Sequence, residues 1–378
     1  MRVLIANGLP WMGGAERWTA HVARGLSERG HGVTAACPPA SGLSNTALGS
    51  GATVLPWTPR TGRSAGLARA IVRGRFDVVV STVRGEHRRV GLAARRAGLP
   101  GSVARLMSGW TPDGRAPAWR RALRGSIYRR LVLLGVANSE AGRREVVRQG
   151  ILPAGRVATI RNGVDLARFD PDRVPRGRFR AELGIPADHV LVVSVSRFVE
   201  RKGQPWELAA LGPVVAARSD VHVVFVGPCR EEERAWRGGL VRRASGFPGA
   251  ARIRFLEERP DVPVVLADAD LLVRGSVEEG LPNIVLEALA MRVPVVATGI
   301  CGTPEAVVDG TTGRLVPPRD PAALRRAVLD LLRAPASRRG ALGEAGRERV
   351  ERLFGMDRMV EEYERLFERA ASAGRRDR

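Results

Sequence analysis

Residues 279–298 read Glu279-Gly280-Leu281-Pro282-Asn283-Ile284-Val285-Leu286-Glu287-Ala288-Leu289-Ala290-Met291-Arg292-Val293-Pro294-Val295-Val296-Ala297-Thr298. Pro282 suits the first position of a helix, where a missing N–H forfeits no bond. The apolar run after it predicts a helix over 283–291, and the next apolar run predicts a buried strand over 293–297. Strands are predicted upstream over 269–273, 252–255, 221–226 and 190–195, and a helix downstream over 321–334. A last helix, 356–371, carries Met359, Tyr363, Leu366 and Phe367 at helical spacing. The first half repeats the alternation. Strands are predicted over 3–6, 33–36, 77–81, 103–107 and 156–160, another ends at Asn138-Ser139, and a helix over 15–29 is closed by Gly30. Alternating strands and helices argue for parallel sheets layered with helices. The Gly-, Pro-, Asp- and Arg-rich stretch 162–186 reads as a linker. Three blocks follow: a domain over 1–170, a second over 171–355, and a terminal helix over 356–378 expected to pack back on the first domain.

The chain has 378 residues, enough for two domains. Apolar residues are 44% and charged residues 26%, which excludes disorder over most of the length. No apolar run approaches the roughly 20 residues of a membrane span, and the first residues lack the apolar stretch of a signal peptide. A cytoplasmic protein is expected. Cys37, Cys229 and Cys301 are too few and too scattered for a disulfide framework or a zinc cluster.

Charge is unevenly spread. The net charge is +22, and residues 1–175 hold 28 Arg against 10 Asp and Glu, a net +18. That half should attract an anionic partner. Basic residues are 60 Arg and one Lys, Lys202.

Several segments, in this order, resemble the retaining, GT-B-fold glycosyltransferases of family 4, the group 1 glycosyl transferase type. They are Asn162-Gly163-Val164-Asp165 with Phe169; Ser196-Arg197-Phe198 leading to Arg201-Lys202-Gly203; Val226-Gly227; the run quoted above; Gly302-Thr303-Pro304-Glu305; and Asp309-Gly310-Thr311-Thr312-Gly313. The first half matches through Gly13-Gly14-Ala15-Glu16 and Asn138-Ser139-Glu140. The resemblance implies two Rossmann-like doubly wound domains facing a cleft. The donor, a UDP- or GDP-type sugar, would lie mostly on the second domain. The acceptor, a glycan, lipid-linked or small-molecule hydroxyl, would lie on the first, with closure excluding water.

Each motif has a chemistry. Glu279 precedes the predicted helix and Glu287 lies inside it; eight residues of pure helix would span about 12 Å. The resemblance implies that Glu279 contacts the donor sugar hydroxyls and Glu287 the ribose. Backbone N–H groups around Gly280, Leu281, Pro282, Asn283 and Ile284 would face the phosphates, as helix N-termini do. Arg197 and Lys202 follow the strand over 190–195, and two fixed cations there stabilise a departing diphosphate without a metal. The resemblance assigns them that role, with Glu279, Arg197 and Lys202 as the catalytic set. The chain's one lysine falls there, where a compact ammonium is not replaced by a guanidinium. Gly13 and Gly14 permit close approach of backbone to phosphate, and the resemblance places them on the donor diphosphate. Glu305 either lines the donor loop or caps the next helix. No family-like metal motif or resident cofactor is evident, so metal independence is expected.

One departure stands out. Relatives carry a histidine after the strand predicted over 103–107; here Met107 or Ser108 takes its place, with Ser108 a candidate acceptor contact. His87 follows the strand 77–81 and is either a surface residue or an acceptor contact. Residues 115–130 interleave Arg115, Arg120, Arg121, Arg124, Arg129 and Arg130 with Trp119, Leu123, Ile127 and Tyr128. Such a helix either lies on an anionic membrane surface, at the inner face for a cytoplasmic protein, or packs on the core with a solvated basic back. Other readings of the chain are a nucleotide-sugar epimerase, a catalytically degenerate scaffold and a nucleic-acid binder. For the last, no recognition helix, zinc module or RNA-binding aromatic motif is present, and no nucleic acid is expected.

Overall fold

The structure, a computed structural model, describes residues 1–58, 64–106 and 117–376. It forms two units, Met1–Asn162 with Met356–Arg378, and Gly163–Gly355. The first runs β1 (Arg2–Ala6), α1 (Gly14–Glu28), β2 (Gly32–Cys37), α2 (Gly42–Gly49), β3 (Thr53–Pro56), α3 (Ser64–Gly74), β4 (Val78–Ser81), α4 (His87–Arg96), β5 (Ser102–Leu106), α5 (Ala118–Leu131), β6 (Val132–Ala137), α6 (Glu140–Arg148) and β7 (Val157–Thr159). The second runs α7 (Arg178–Leu183), β8 (Val190–Val195), α8 (Gln204–Ala217), β9 (Val221–Val226), α9 (Arg234–Ala244), β10 (Ile253–Leu256), α10 (Val262–Asp268), β11 (Leu271–Arg274), α11 (Asn283–Ala290), β12 (Val295–Thr298), α12 (Thr303–Ala306), β13 (Gly313–Val316), α13 (Pro321–Arg333) and α14 (Ala336–Leu353). Helix α15 (Met356–Arg376) belongs to the first unit.

The strands form a seven-stranded sheet ordered β3-β2-β1-β4-β5-β6-β7 and a six-stranded sheet ordered β10-β9-β8-β11-β12-β13. Neighbours pair in parallel throughout, as between β1 and β4 or β8 and β11. A parallel sheet covered on both faces needs strands apolar on both sides. The central strands β1, β4, β8 and β9 accordingly read Arg-Val-Leu-Ile-Ala, Val-Val-Val-Ser, Val-Leu-Val-Val-Ser-Val and Val-His-Val-Val-Phe-Val. Each sheet reverses its strand order once, between β1 and β4 and between β8 and β11. In open α/β sheets the crevice beyond the strand C-termini at such a reversal is where ligands bind.

Two segments differ from expectation. The stretch 162–186 is not a linker. Val164, Phe169, Phe179 and Ile185 are buried in the core of the second unit, and the division falls at Asn162 and Gly163 rather than at 170. Two of its glycines are helix ends: Gly177 (φ 93°) and Gly184 (φ 62°) bracket α7 in the left-handed conformation that glycine tolerates. Buried Arg180 ties it down through Asp270, 2.6 Å away. The edge strands β3 and β13 carry no apolar run long enough to announce themselves.

Helix α15 packs on α1. Met359, Tyr363, Leu366 and Phe367 share one core with Trp18, Val22 and Leu26, and Trp18 meets Tyr363 edge to face at 4.9 Å. Gly25 permits this contact, since a Cβ there would lie 2.7 Å from a Val360 methyl.

Candidate active site

In the second unit two loops meet at the β8/β11 reversal. The first leaves β8 through Ser196, Arg197 and Phe198, makes a 3-10 turn over Glu200–Lys202, and enters α8 at Gly203. Gly203 has φ 81°, and a Cβ on it would sit 1.8 Å from the Gly275 carbonyl oxygen. Glycine is required there on both counts. Gly227 is a second close approach, its absent Cβ 1.9 Å from the Ser196 carbonyl oxygen. Gln204 Nε2 donates to Ser196 Oγ (2.9 Å) and to the Arg197 carbonyl (2.8 Å). The Val277 N–H donates to the Arg201 carbonyl at 3.0 Å, joining this loop to the one after β11.

This joint brings Lys202 and Glu279 together across 77 residues of sequence. Glu279 Oε1 accepts from Lys202 Nζ at 2.6 Å, from Arg274 Nη2 at 2.7 Å and from Ser276 Oγ at 2.9 Å. Arg274 and Glu279 are buried, 2% and 7% exposed. Burial pushes the Glu279 carboxyl upward, but the Lys202 and Arg274 charges outweigh it and hold its pKa at about 2. Burial lowers Lys202 to about 8, opposed by Glu279 and assisted by Arg274. At neutral pH Glu279 is a carboxylate facing two cations. Arg274 ends a run of buried apolar residues, Leu-Leu-Val-Arg, and the sequence reading stopped one residue short of it. Beneath it, fully buried Glu207 accepts from Ser194 Oγ (2.6 Å) and from the Gly275 N–H (2.5 Å), and burial pushes its pKa up.

Arg197 is held separately. Its Nε lies 3.0 Å from Glu233 Oε1. Its pKa is lowered by burial, then by neighbouring Arg230. The two cations expected to act together are thus steadied by different carboxylates.

Pro282 caps α11 rather than opening it, and Asn283 is the first helical residue. Leu281 is buried; Ile284 and Glu287 are half-buried. The Gly280 carbonyl accepts from the Gly302 N–H at 2.8 Å, docking the 302–305 loop on this one. Glu305 lies in the first turn of the short helix α12.

The first unit gathers other groups at its own reversal. Gly13 is the N-cap of α1 and Gly14 its first residue. Glu16, in that first turn, is 1% exposed, with Oε1 lacking a hydrogen-bond partner. Burial raises its pKa. Glu86 Oε1 accepts from the Gly8 N–H at 2.9 Å while Oε2 has no partner. Burial, with help from Glu16, pushes Glu86 up to about 7. His87, expected at the surface or in contact with acceptor, is fully buried. Its Nδ1 lies 2.8 Å from Ser81 Oγ and its Nε2 has no hydrogen-bond partner. Burial depresses its pKa to about 3, so the ring is neutral. Glu16 entered the sequence reading only as the last residue of the Gly13-Gly14-Ala15-Glu16 match, and nothing singled out Glu86, because an acid at a helix start reads as a solvated cap. Met107, Ser108 and Arg115 lie outside the described residues.

Helix α5 does not bury its apolar stripe. Trp119 and Leu123 are 61% and 55% exposed, whereas Tyr128 is buried. The helix docks through Gly125, whose absent Cβ would lie 2.5 Å from the Gly150 carbonyl oxygen.

A Rossmann-type unit with ionic groups at its reversal point defines a ligand-binding α/β protein. Residues 12–168 match the family described as Glycosyltransferase Family 4, and residues 189–334 match Glycosyl transferases group 1. A GDP-mannose-dependent alpha-(1-6)-phosphatidylinositol monomannoside mannosyltransferase of Mycolicibacterium smegmatis is 37% identical over 52% of this chain and 52% of its own. A D-inositol 3-phosphate glycosyltransferase of Streptomyces avermitilis is 33% identical over 64% of this chain and 53% of its own. The chain thus spans about half the length of the curated relatives it matches. A glycosyltransferase crystal structure from Rickettsia africae superposes with TM-score 0.87 at 18% identity, covering 98% of each chain. The fold is GT-B, and the chain belongs to the family 4, group 1 glycosyltransferases.

Proposed function

We propose that this protein transfers a sugar from a nucleotide-diphosphate sugar to an acceptor hydroxyl, with retention of configuration and without a metal ion. The carrying observation is the buried Lys202, Arg274, Ser276 and Glu279 cluster at the reversal of the second sheet. Glu279 accepts hydrogen bonds from the donor sugar. Lys202 and Arg197 meet the charge that grows on the β-phosphate as the glycosidic bond breaks, helped by backbone N–H groups at the start of α11. Glu287 holds the ribose. The acceptor binds the first unit, where buried Glu16 and Glu86 each keep an oxygen without a partner. The acceptor hydroxyl attacks from the face that the diphosphate leaves, and the leaving phosphate takes its proton.

The mannosyltransferase relative makes GDP-mannose the first donor to try and a lipid-linked alcohol the first acceptor. The exposed Trp119 and Leu123 on a basic helix suit a protein that works at an anionic membrane surface. Among the described residues no helix is long and apolar enough to cross a membrane.

The test is calorimetric titration with UDP and GDP in EDTA, on wild type and Glu287→Ala. Selective binding of one, weakened by the substitution, supports the donor assignment. Lys202→Ala should lose at least tenfold in turnover while remaining folded; turnover near wild type would remove the diphosphate role. The anomeric configuration of the first product, read by NMR, decides retention.

A further inference from the structure

In this structure Lys202 is not waiting in solvent for a phosphate. It is 16% exposed at its side chain, and its ammonium is already engaged by Glu279 at 2.6 Å. If the donor diphosphate draws that ammonium away, a buried carboxylate is left behind. An ionised carboxylate without a partner in such a site is strongly unfavourable. The same oxygen, Glu279 Oε1, also accepts from Arg274 Nη2 at 2.7 Å.

Arg274 is among the largest fully buried side chains of the molecule. It ends β11, so its backbone is fixed by the sheet. Its Nη1 reaches the Lys202 carbonyl at 3.4 Å. Glu279 is the only carboxylate in ion-pair contact with it among the described residues. One guanidinium therefore spans the backbone that carries the lysine and the carboxylate that the lysine holds. Glu207 fixes the turn that follows by accepting from the Gly275 N–H.

We propose that Arg274 is a positioning residue: it keeps Glu279 charged and in place when the donor diphosphate recruits Lys202. The inference rests on the donor reading above. Guanidinium suits the task because it stays charged in a buried site, and its backbone is fixed at the end of β11. Lysine supplies the mobile charge and arginine the stationary one. Without Arg274, Glu279 would retain Lys202 for itself, and the diphosphate would have to compete for it.

The experiment measures UDP and GDP affinity by calorimetry on wild type, Arg274→Met, Arg274→Lys and the double variant Arg274→Met/Glu279→Gln. Whichever nucleotide wild type binds should bind Arg274→Met at least tenfold more weakly. Arg274→Lys should stay within threefold of wild type. The double variant should recover to within threefold, because no carboxylate remains to hold Lys202, although turnover stays lost. A merely structural arginine would give a loss that the second substitution does not restore. Wild-type affinity in Arg274→Met, or no recovery in the double variant, overturns the proposal. If Arg274→Met does not fold, Arg274→Gln takes its place against Arg274→Lys, and equal affinity of those two overturns it likewise. Failure of wild type to bind either nucleotide overturns the donor reading itself, and this inference with it.

Discussion

Both sheets reverse their strand order once, and both gather buried acids there, but the two reversals are electrically opposite. At β8/β11 the carboxylate of Glu279 meets Lys202, Arg274 and Ser276 on a single oxygen, and its pKa is held at about 2. At β1/β4, Glu16 and Glu86 are equally buried, yet each keeps an oxygen with no partner, and Glu86 is pushed up to about 7. One site is built to hold charge and the other to shed it. A fixed ionic cluster suits a donor whose reaction develops charge. Carboxyls that are easily protonated, with unused oxygens, suit uncharged hydroxyls. The distribution of charge along the chain does not foretell this. The first half carries the net +18, yet at its reversal Glu16 and Glu86 each keep an oxygen without a hydrogen-bond partner.

The largest expected effect comes from breaking the ionic site. Glu279→Gln keeps the shape and removes the charge. Turnover should fall about 10²–10³-fold, the usual consequence of losing one fixed electrostatic partner of a transition state. The donor KM should move far less. Steady-state kinetics decides it, and a loss confined to KM would reduce Glu279 to ground-state binding.

Next comes the joint that assembles the ionic site. Gly203→Ala puts a Cβ 1.8 Å from the Gly275 carbonyl oxygen at φ 81°. Both loops must shift, which should cost about 2–3 kcal/mol and displace Lys202. Chemical denaturation and turnover should fall together, whereas Gly155→Ala, where a Cβ meets nothing within 4 Å, should change neither. Full activity in Gly203→Ala would mean that the loops tolerate separation.

How much of this was legible in sequence follows from the same contrast. Buried parallel strands are written as apolar runs, so most of both sheets could be read. The edges β3 and β13 could not, because half-covered strands need no such run. The stretch 162–186 misled because Gly and Pro signal chain reversals whether or not the apolar residues between them are buried; Phe169 and Phe179 follow no period that betrays a core. Lys202 and Glu279 stood out through motif spacing and the lysine's singularity. Arg274 did not, since a charge after Leu-Leu-Val reads as the end of a strand. Its partnership with Glu279 exists only once β11 and the loop after β8 are side by side. Glu86 was silent for the complementary reason: what matters about it is a missing partner, and sequence records no absences of that kind.

A pH comparison sharpens the two-site picture with a smaller effect. For Glu86 the folded pKa, about 7, lies above the usual 4.5. The folded state then binds the extra proton, so its contribution to stability is present below about pH 4.5 and is lost as the pH rises through 7. Over that window the loss is at most about 3 kcal/mol. For Glu279 the sign is reversed: the folded pKa is depressed, and stability present above 4.5 is lost as the pH falls toward 2. Hydrogen exchange resolved by unit should show amides of β1 and β4 less protected at pH 8 than at pH 5.5, relative to those of β8 and β11. Glu86→Gln should flatten the difference in the first unit. An unchanged difference would show that Glu86 is not the titrating group.

The smallest expected effect on the fold is at α5, and that smallness is the argument. Trp119 and Leu123 are more than half exposed, and the Arg120 guanidinium lies over the Trp119 ring at 5.2 Å. The face that docks the helix is the other one, with Gly125 and Tyr128. Replacing Trp119 and Leu123 with serine removes no core contact, so stability should stay within about 0.5 kcal/mol of wild type. If these side chains exist to enter a bilayer interface, the loss must appear elsewhere. Wild type should float with vesicles containing anionic phospholipid at low salt and release at high salt, because the arginines supply an electrostatic attraction that screening removes. The double serine variant should keep its fold and lose flotation, and vesicles of neutral phospholipid should hold neither protein. Flotation equal to wild type would assign the attraction to the basic surface as a whole and leave the exposed tryptophan without this role.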